Sequence, residues 1–130
     1  MNRQLVQITL VVEDYDAAIA FYTMKLGFTL MEDTRLSDTK RWVRLSPDGG
    51  ESCCLLLGKA ATPEQKSHIG NQTGGRVFLF IHTDDFYRDY DSWTSKGVEL
   101  VRPISVEEYG TVAVFKDLYG NMIDLIEPRS

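Results

Sequence analysis

The sequence predicts an α+β fold: two β-α-β-β-β modules that curl into an incomplete barrel around a central cleft. Two observations carry this. The stretch over residues 8–31, ITLVVEDYDAAIAFYTMKLGFTLM, is echoed by residues 78–101, FLFIHTDDFYRDYDSWTSKGVELV, at a separation of 70 residues. Each is an apolar strand, an aspartate, an amphipathic helix, a glycine and another apolar strand. Asp14 matches Asp84, Gly27 matches Gly97 and Leu30 matches Leu100. An internal repeat decides the architecture before any residue receives a role. The second observation is that each half continues as further short strands punctuated by turn residues.

Taken in order, residues 5–12 form a continuous apolar strand. Asp14 or Asp16 can cap the helix that follows, because a short carboxylate accepts hydrogen bonds from the first free amides. Ile19, Tyr22 and Leu26 recur at helical spacing, and Gly27 supplies the stop. Residues 28–34, 42–45 and 52–57 read as three strands, with the turn Ser46-Pro47-Asp48-Gly49-Gly50 before the last. In the connector, Thr62-Pro63-Glu64-Gln65 has the form of a capping box with proline at the first helical position, which predicts one short helix to Ile69.

The second half repeats the order. Residues 77–83 form a strand, and Asp84 or Asp85 caps a helix that Gly97 ends. Phe86, Tyr90 and Trp93 share one helical face and read as core. Residues 98–104, 111–116 and 122–126 supply three more strands, and residues 117–121 form the hairpin turn before the last. The chain is thus one domain over residues 1–130. Module one spans about residues 4–58, the connector 59–75, and module two about 76–128. A sheet with one helix covers only one of its faces, so the two open faces enclose a cleft that is the natural ligand site.

Composition narrows the function. With 130 residues, 43% hydrophobic and 25% charged, the chain has ordinary globular values and can bury a sizeable core. A formal net charge of −5 and the lack of any basic run argue against nucleic acid. No apolar run of ~18 residues predicts a membrane span, and no signal-peptide pattern opens the chain. A cytoplasmic location is the expectation. Cys53 and Cys54 are adjacent, which suits reduced thiols better than a strained ring.

The segments VEDYDAAIAFYTMKLGF (residues 12–28) and VAVFKDLYGNMIDLIEP (residues 112–128) together resemble the two signatures of the vicinal oxygen chelate superfamily, also called the glyoxalase/bleomycin-resistance/dioxygenase family. Leu118 and Tyr119 replace the usual proline and its neighbour. The resemblance covers essentially the whole chain and is specific for fold, not reaction, because this fold hosts isomerases, dioxygenases, transferases and drug-sequestering proteins. It implies a homodimer.

The resemblance also supplies four positions that hold a divalent metal in many family enzymes. Here they are Gln7, Leu56, Phe78 and Asp124. Gln7 and Asp124 are oxygen donors. Leu56 and Phe78 ligate nothing, and a slip onto Leu55, Leu57 or Gly58 brings no better donor. Catalytic metals usually keep at least three protein ligands, so the usual site is expected to be absent and no cofactor is expected, with a divalent metal as the alternative. Gln7 reads equally as a strand residue bonding across the sheet. Asp124 stands in an otherwise apolar strand, where an unpaired buried carboxylate costs several kcal/mol. It is therefore the candidate catalytic acid or base.

Other candidates follow from strand placement. Thr9 shares the face of Gln7 and can hydrogen-bond a ligand. His82 shares the face of Phe78 and Phe80 by period-2 parity and is a candidate ligand-binding group, against the plainer reading of a strand-end histidine. His68 reads as solvated and Cys54 as a small buried hydrophobe. Trp42 and Tyr109 can stack on a planar ligand, and Arg44 or Lys116 can hold a carboxylate. The expectation is a protein that binds a small organic molecule in a mainly apolar cleft through Gln7, Thr9, Trp42, Leu56, Phe78 and His82. Two alternatives stand beside it: a metal-dependent lyase, isomerase or dioxygenase recruiting His82 or Glu108, and a non-catalytic drug- or toxin-sequestering protein.

Overall fold

In the computed structural model, which describes residues 1–50 and 52–130, strands and helices follow one another in the predicted order. The first module contains β1 (Gln7–Val12), α1 (Tyr15–Ala20, continued by a π turn over Phe21–Lys25), β2 (Thr29–Arg35), β3 (Arg41–Ser46) and β4 (Cys54–Lys59). The connector carries α2 (Pro63–Ser67). The second module contains β5 (Val77–His82), α3 (Phe86–Ser95), β6 (Glu99–Glu107), β7 (Gly110–Lys116) and β8 (Met122–Pro128). The chain divides into two compact units, Met1–Ile69 and Gly70–Ser130.

Each unit holds one open, four-stranded mixed sheet, ordered β1-β4-β3-β2 in the first and β5-β8-β7-β6 in the second. In both, the first strand runs parallel to the last and the other pairs are antiparallel. These are two β-α-β-β-β modules. Alternate residues of each sheet face its helix. In the first, Leu10, Val12, Val43, Leu45, Leu55 and Leu57 are buried, as are Ala18, Tyr22 and Leu26 of the helical segment. In the second, Ala113, Phe115, Ile123 and Leu125 are buried with Phe86 and Trp93, and the Trp93 and Tyr90 rings meet Phe115 edge-on at 5.1 and 5.6 Å. Phe86, Tyr90 and Trp93 thus pack as the spacing predicts, with Phe86 and Trp93 buried and Tyr90 half-buried; full burial of a ring such as Phe86 stabilises by roughly 1.5–3 kcal/mol.

The predicted hairpin turn is built on one carboxylate. Asp117 Oδ1 accepts from the N–H groups of Tyr119, Gly120 and Asn121 at 2.9, 3.0 and 2.9 Å, and Oδ2 accepts from the Asn121 amide at 3.1 Å. Asn121 Oδ1 in turn accepts from the N–H of Gln72 at 3.1 Å, which ties the end of the connector to the turn. The connector helix stops earlier than expected, at Ser67 with His68 as its C-cap rather than at Ile69. Strand limits move by a few residues at most; β6 gains the most, running to Glu107.

The repeat is offset differently from the identities in the sequence. The helix caps are Asp14 and Asp85, whose side chains accept from the N–H groups of Ala17 and Arg88. Asp84 caps nothing and pairs with Arg88 on the surface at 3.0 Å. The equivalent core residues are then Tyr15 with Phe86 and Tyr22 with Trp93, each 71 positions apart, while the glycine stops Gly27 (φ 81°) and Gly97 (φ 82°) remain 70 apart. One residue has to be absorbed between Tyr22 and Gly27. The π turn absorbs it: the N–H of Leu26 reaches back five residues to the carbonyl of Phe21, widening the helix by one position. The closing bonds show the same difference, from Phe28 N–H to Tyr22 and from Val98 N–H to Trp93.

Removing either cap should cost about 1 kcal/mol, so Asp14→Ala and Asp85→Ala lower the urea midpoint. Asp84→Ala, which forfeits only an exposed ion pair, should shift it clearly less. Equal losses for Asp84 and Asp85 would overturn the revised repeat.

Candidate functional site

The face of each sheet turned away from its helix carries the predicted site residues. Register places them in rows across the strands. In the first sheet Thr9, Leu56, Arg44 and Glu32 stand side by side on β1, β4, β3 and β2. In the second sheet Phe80, Asp124, Val114 and Arg102 occupy the matching row on β5, β8, β7 and β6. Gln7 lies one step along, beside Cys54, and is half-buried. Phe78 is the extra residue of a bulge in β5, between the paired Val77 and Leu79, so parity does not carry from it to Phe80 and His82. His82 ends β5 beside Ile126 and is exposed.

A hollow of about 660 Å³ is set into the open face of the first sheet. Its floor is Thr9 and Val11 of β1, Leu56 and Gly58 of β4 and Trp42 of β3, with Tyr15 at one wall. Ala60, Ala61 and Gln65 close the side beyond β4, and Thr39, Lys40 and Arg41 the side before β3. Gly58 keeps the floor low: a Cβ there would stand 3.2 Å from the Thr9 methyl. Gln65 is held because its side-chain oxygen accepts from the N–H of Ala61 at 2.8 Å while its own N–H donates to Thr62 Oγ1 at 3.1 Å, a capping box shifted by one residue.

Of the predicted ligand-binding residues, the structure brings Thr9, Trp42 and Leu56 together in this hollow. Gln7 is on the same face outside its lining, and Phe78, His82 and Asp124 belong to the other sheet. Tyr15, Val11, Gly58 and the lysines were missed by sequence reasoning. Val11 and Gly58 share parity with Thr9 and Leu56, so that pattern held a usable signal. Lys40 and Lys59 depend on loop geometry that no local pattern encodes.

The wall is braced by Arg41. Its guanidinium grips Asp33 at 3.1 and 2.6 Å and Asp16 at 2.9 Å, and lies 5.2 Å from the centre of the Tyr15 ring. These hydrogen bonds to Asp33 and Asp16 raise the Arg41 pKa, and the Arg41 bond holds the Asp33 carboxyl below its ordinary range. Arg44 sits 3.6 Å from Glu32, with its guanidinium 3.7 Å from the buried Cys54 sulfur. Lys116 pairs with Glu99 at 2.9 Å. Tyr109 lies not on a strand but in the turn between β6 and β7 with Glu108, and is 60% exposed, which gives it no wall to stack against. Both cysteines are free thiols.

Asp124 is half-buried among apolar neighbours. Burial raises its pKa above the ordinary value, and the positive charge of Arg102 two strands away lowers it in part. The four positions that hold metal in family enzymes offer one oxygen donor and one carbon side chain on each sheet: Gln7 and Leu56 on the first, Asp124 and Phe78 on the second. Among the described residues no three or more His, Cys, Asp or Glu side chains group as a metal site. The donor set does not fit the four-ligand metal. Nor is any helix among the described residues long and apolar enough to cross a membrane.

Two β-α-β-β-β modules, each an open four-stranded mixed sheet with one helix, define the class of fold. The chain belongs to the Glyoxalase/Bleomycin resistance protein/Dioxygenase superfamily, whose family model matches residues 4–125. It is 55% identical over 128 residues to an uncharacterized protein of Shewanella frigidimarina (strain NCIMB 400), covering 98% of this chain and 95% of that one. Among solved structures it is similar to UcmS2, at 29% identity and a TM-score of 0.84 over 98% of this chain and 99% of that one. It is also similar to TnmS3, an antibiotic binding protein from Streptomyces sp. CB03234, at 26% identity and a TM-score of 0.78 over 98% of each chain.

The raised Asp124 pKa has a stability consequence. The folded carboxyl holds its proton more tightly than the unfolded one, so folded-state stability falls as pH rises from 3.8 through the folded pKa. Asp124→Asn should therefore raise the urea midpoint at neutral pH, with the gain shrinking towards pH 3.8. A pH-independent difference would remove the titration from the account.

Proposed function

We propose that the protein binds a small organic molecule, its flat apolar part lying on the open face of the first sheet against Trp42, and that it does so without the four-ligand metal of the family's enzymes. The observation that carries this is the hollow itself. Its 660 Å³ falls within the roughly 300–1,000 Å³ usual for ligand sites. Val11, Leu56 and Trp42 give it an apolar, partly aromatic floor, Ala60 and Ala61 an apolar side, and Tyr15 an aromatic wall. The likeness to an antibiotic binding protein supports sequestration of a drug-like molecule as the use of such a site. Small-molecule binding on this fold needs no reaction.

A second reading is acid–base catalysis. It is favoured by Asp124, whose proton affinity is shifted upwards by burial, towards proton transfer nearer neutral pH. In that reading Asp124 exchanges a proton with a bound molecule, with Gln7 and Thr9 as orienting hydrogen-bonding groups. Chemical conversion of the ligand, followed by mass spectrometry and abolished by Asp124→Asn, distinguishes it from pure binding. The working unit is proposed to be a homodimer in the cytoplasm.

The test is titration with a panel of planar aromatic antibiotics, read by isothermal calorimetry. Binding should weaken about tenfold or more in Trp42→Ala, the usual consequence of truncating an aromatic anchor. It should weaken similarly in Gly58→Val, which fills the floor while leaving the core untouched. Retention of wild-type affinity by both variants would sink the proposed site. After chelation, re-added nickel, zinc, manganese and iron should each fail to bind stoichiometrically; one tight metal per chain would restore the lyase or dioxygenase alternative.

A further inference from the structure

The chain is acidic overall, yet the hollow is not. Among the described residues its lining contains Lys40, Arg41 and Lys59 and no aspartate or glutamate, in a protein whose formal net charge is −5. Arg41 is already neutralised by Asp33 and Asp16. Lys40 and Lys59 are different: among the described residues neither ammonium group has a carboxylate within ion-pair distance. Lys40 stands just before β3 and Lys59 at the end of β4, and the antiparallel register, with Val43 opposite Leu57, brings those two strand ends side by side. Glu13 lines a neighbouring hollow that shares Lys59 and Ala60 and also holds Lys66.

Two uncompensated ammonium groups at the rim of an apolar floor raise the local concentration of anions and repel cations. An aromatic surface below them accepts a flat ring system. The geometry points to an anionic amphipathic ligand: a planar apolar body on Val11, Leu56, Gly58 and Trp42, bearing a carboxylate, sulfonate or similarly acidic group that reaches Lys40 and Lys59. This inference rests on the binding site proposed above and adds the charge of what fills it. It also excludes a class, because a cationic drug would meet two like charges with no counter-charge in the lining.

The experiment compares two fluorescent probes that differ in one group. N-phenyl-1-naphthylamine is neutral, and 8-anilinonaphthalene-1-sulfonate is the same ring system carrying a sulfonate. The part of the tryptophan-to-probe energy transfer that is lost in Trp42→Phe, where Trp93 is the remaining donor, assigns the signal to the hollow. The sulfonate should bind more tightly than the neutral probe. The combined Lys40→Gln, Lys59→Gln variant should weaken the sulfonate roughly fivefold and leave the neutral probe unchanged. Added salt should weaken only the sulfonate. If Gly58→Val weakens both probes but the sulfonate has no advantage, or the lysine variant does not reduce it, the charge inference is overturned and the binding site stands. If neither probe binds, or Gly58→Val changes neither, the site itself fails and this inference with it.

Discussion

The structure depends on an inequality of cover. Each four-stranded sheet has two faces and one helix, and that helix seals one face only. Burying Leu10, Val12, Val43, Leu45, Leu55 and Leu57 beneath Tyr22 and Ala18 stabilises the first module. The same arrangement with Phe115, Ile123 and Leu125 beneath Phe86 and Trp93 stabilises the second. The opposite face has no helix and is sealed only in part: Thr9 and Phe80 are exposed and Asp124 is half-buried, while Cys54 and Val114 are buried. This is why a charged row such as Leu56, Arg44 and Glu32 can stand one residue away from a fully apolar one. Function has room on these faces because stability is secured on the others.

The two rows show how similar modules diverge. In the first sheet the strand beside β1 carries a leucine and the charges lie further out, on Arg44 and Glu32. In the second, the carboxylate of Asp124 lies on the strand beside β5, and its countercharge Arg102 is two strands away across Val114. The first sheet is thereby suited to an apolar ligand surface. The second is suited to a group that changes its protonation, since desolvation acts on Asp124 more strongly than the distant guanidinium does.

Much of the fold was legible in the sequence, because period-2 runs, cap residues and glycine stops act locally. The order of all elements, the cores under both helices and the turn on Asp117 follow from such signals. What was not legible is instructive. The choice between Asp84 and Asp85 as cap, left open by the sequence, depends on where a helix must sit on its sheet, and the structure takes Asp85. The bulge at Phe78 reverses parity within β5, and no residue type announces it. At the site, Thr9, Trp42 and Leu56 could be placed from strand parity. Tyr15 and the two lysines could not, because they reach the hollow from a helix start and from loops whose paths are set by tertiary packing.

Gly58 has a consequence for how such a protein changes over time. The depth of the hollow is set by a missing side chain on the face away from the helix, where a Cβ would stand 3.2 Å from the Thr9 methyl and 4.0 Å from the Leu10 carbonyl oxygen. In the binding role proposed above, the size of the accepted molecule can therefore change by a single substitution at the floor, which separates the evolution of specificity from that of the core beneath the helix.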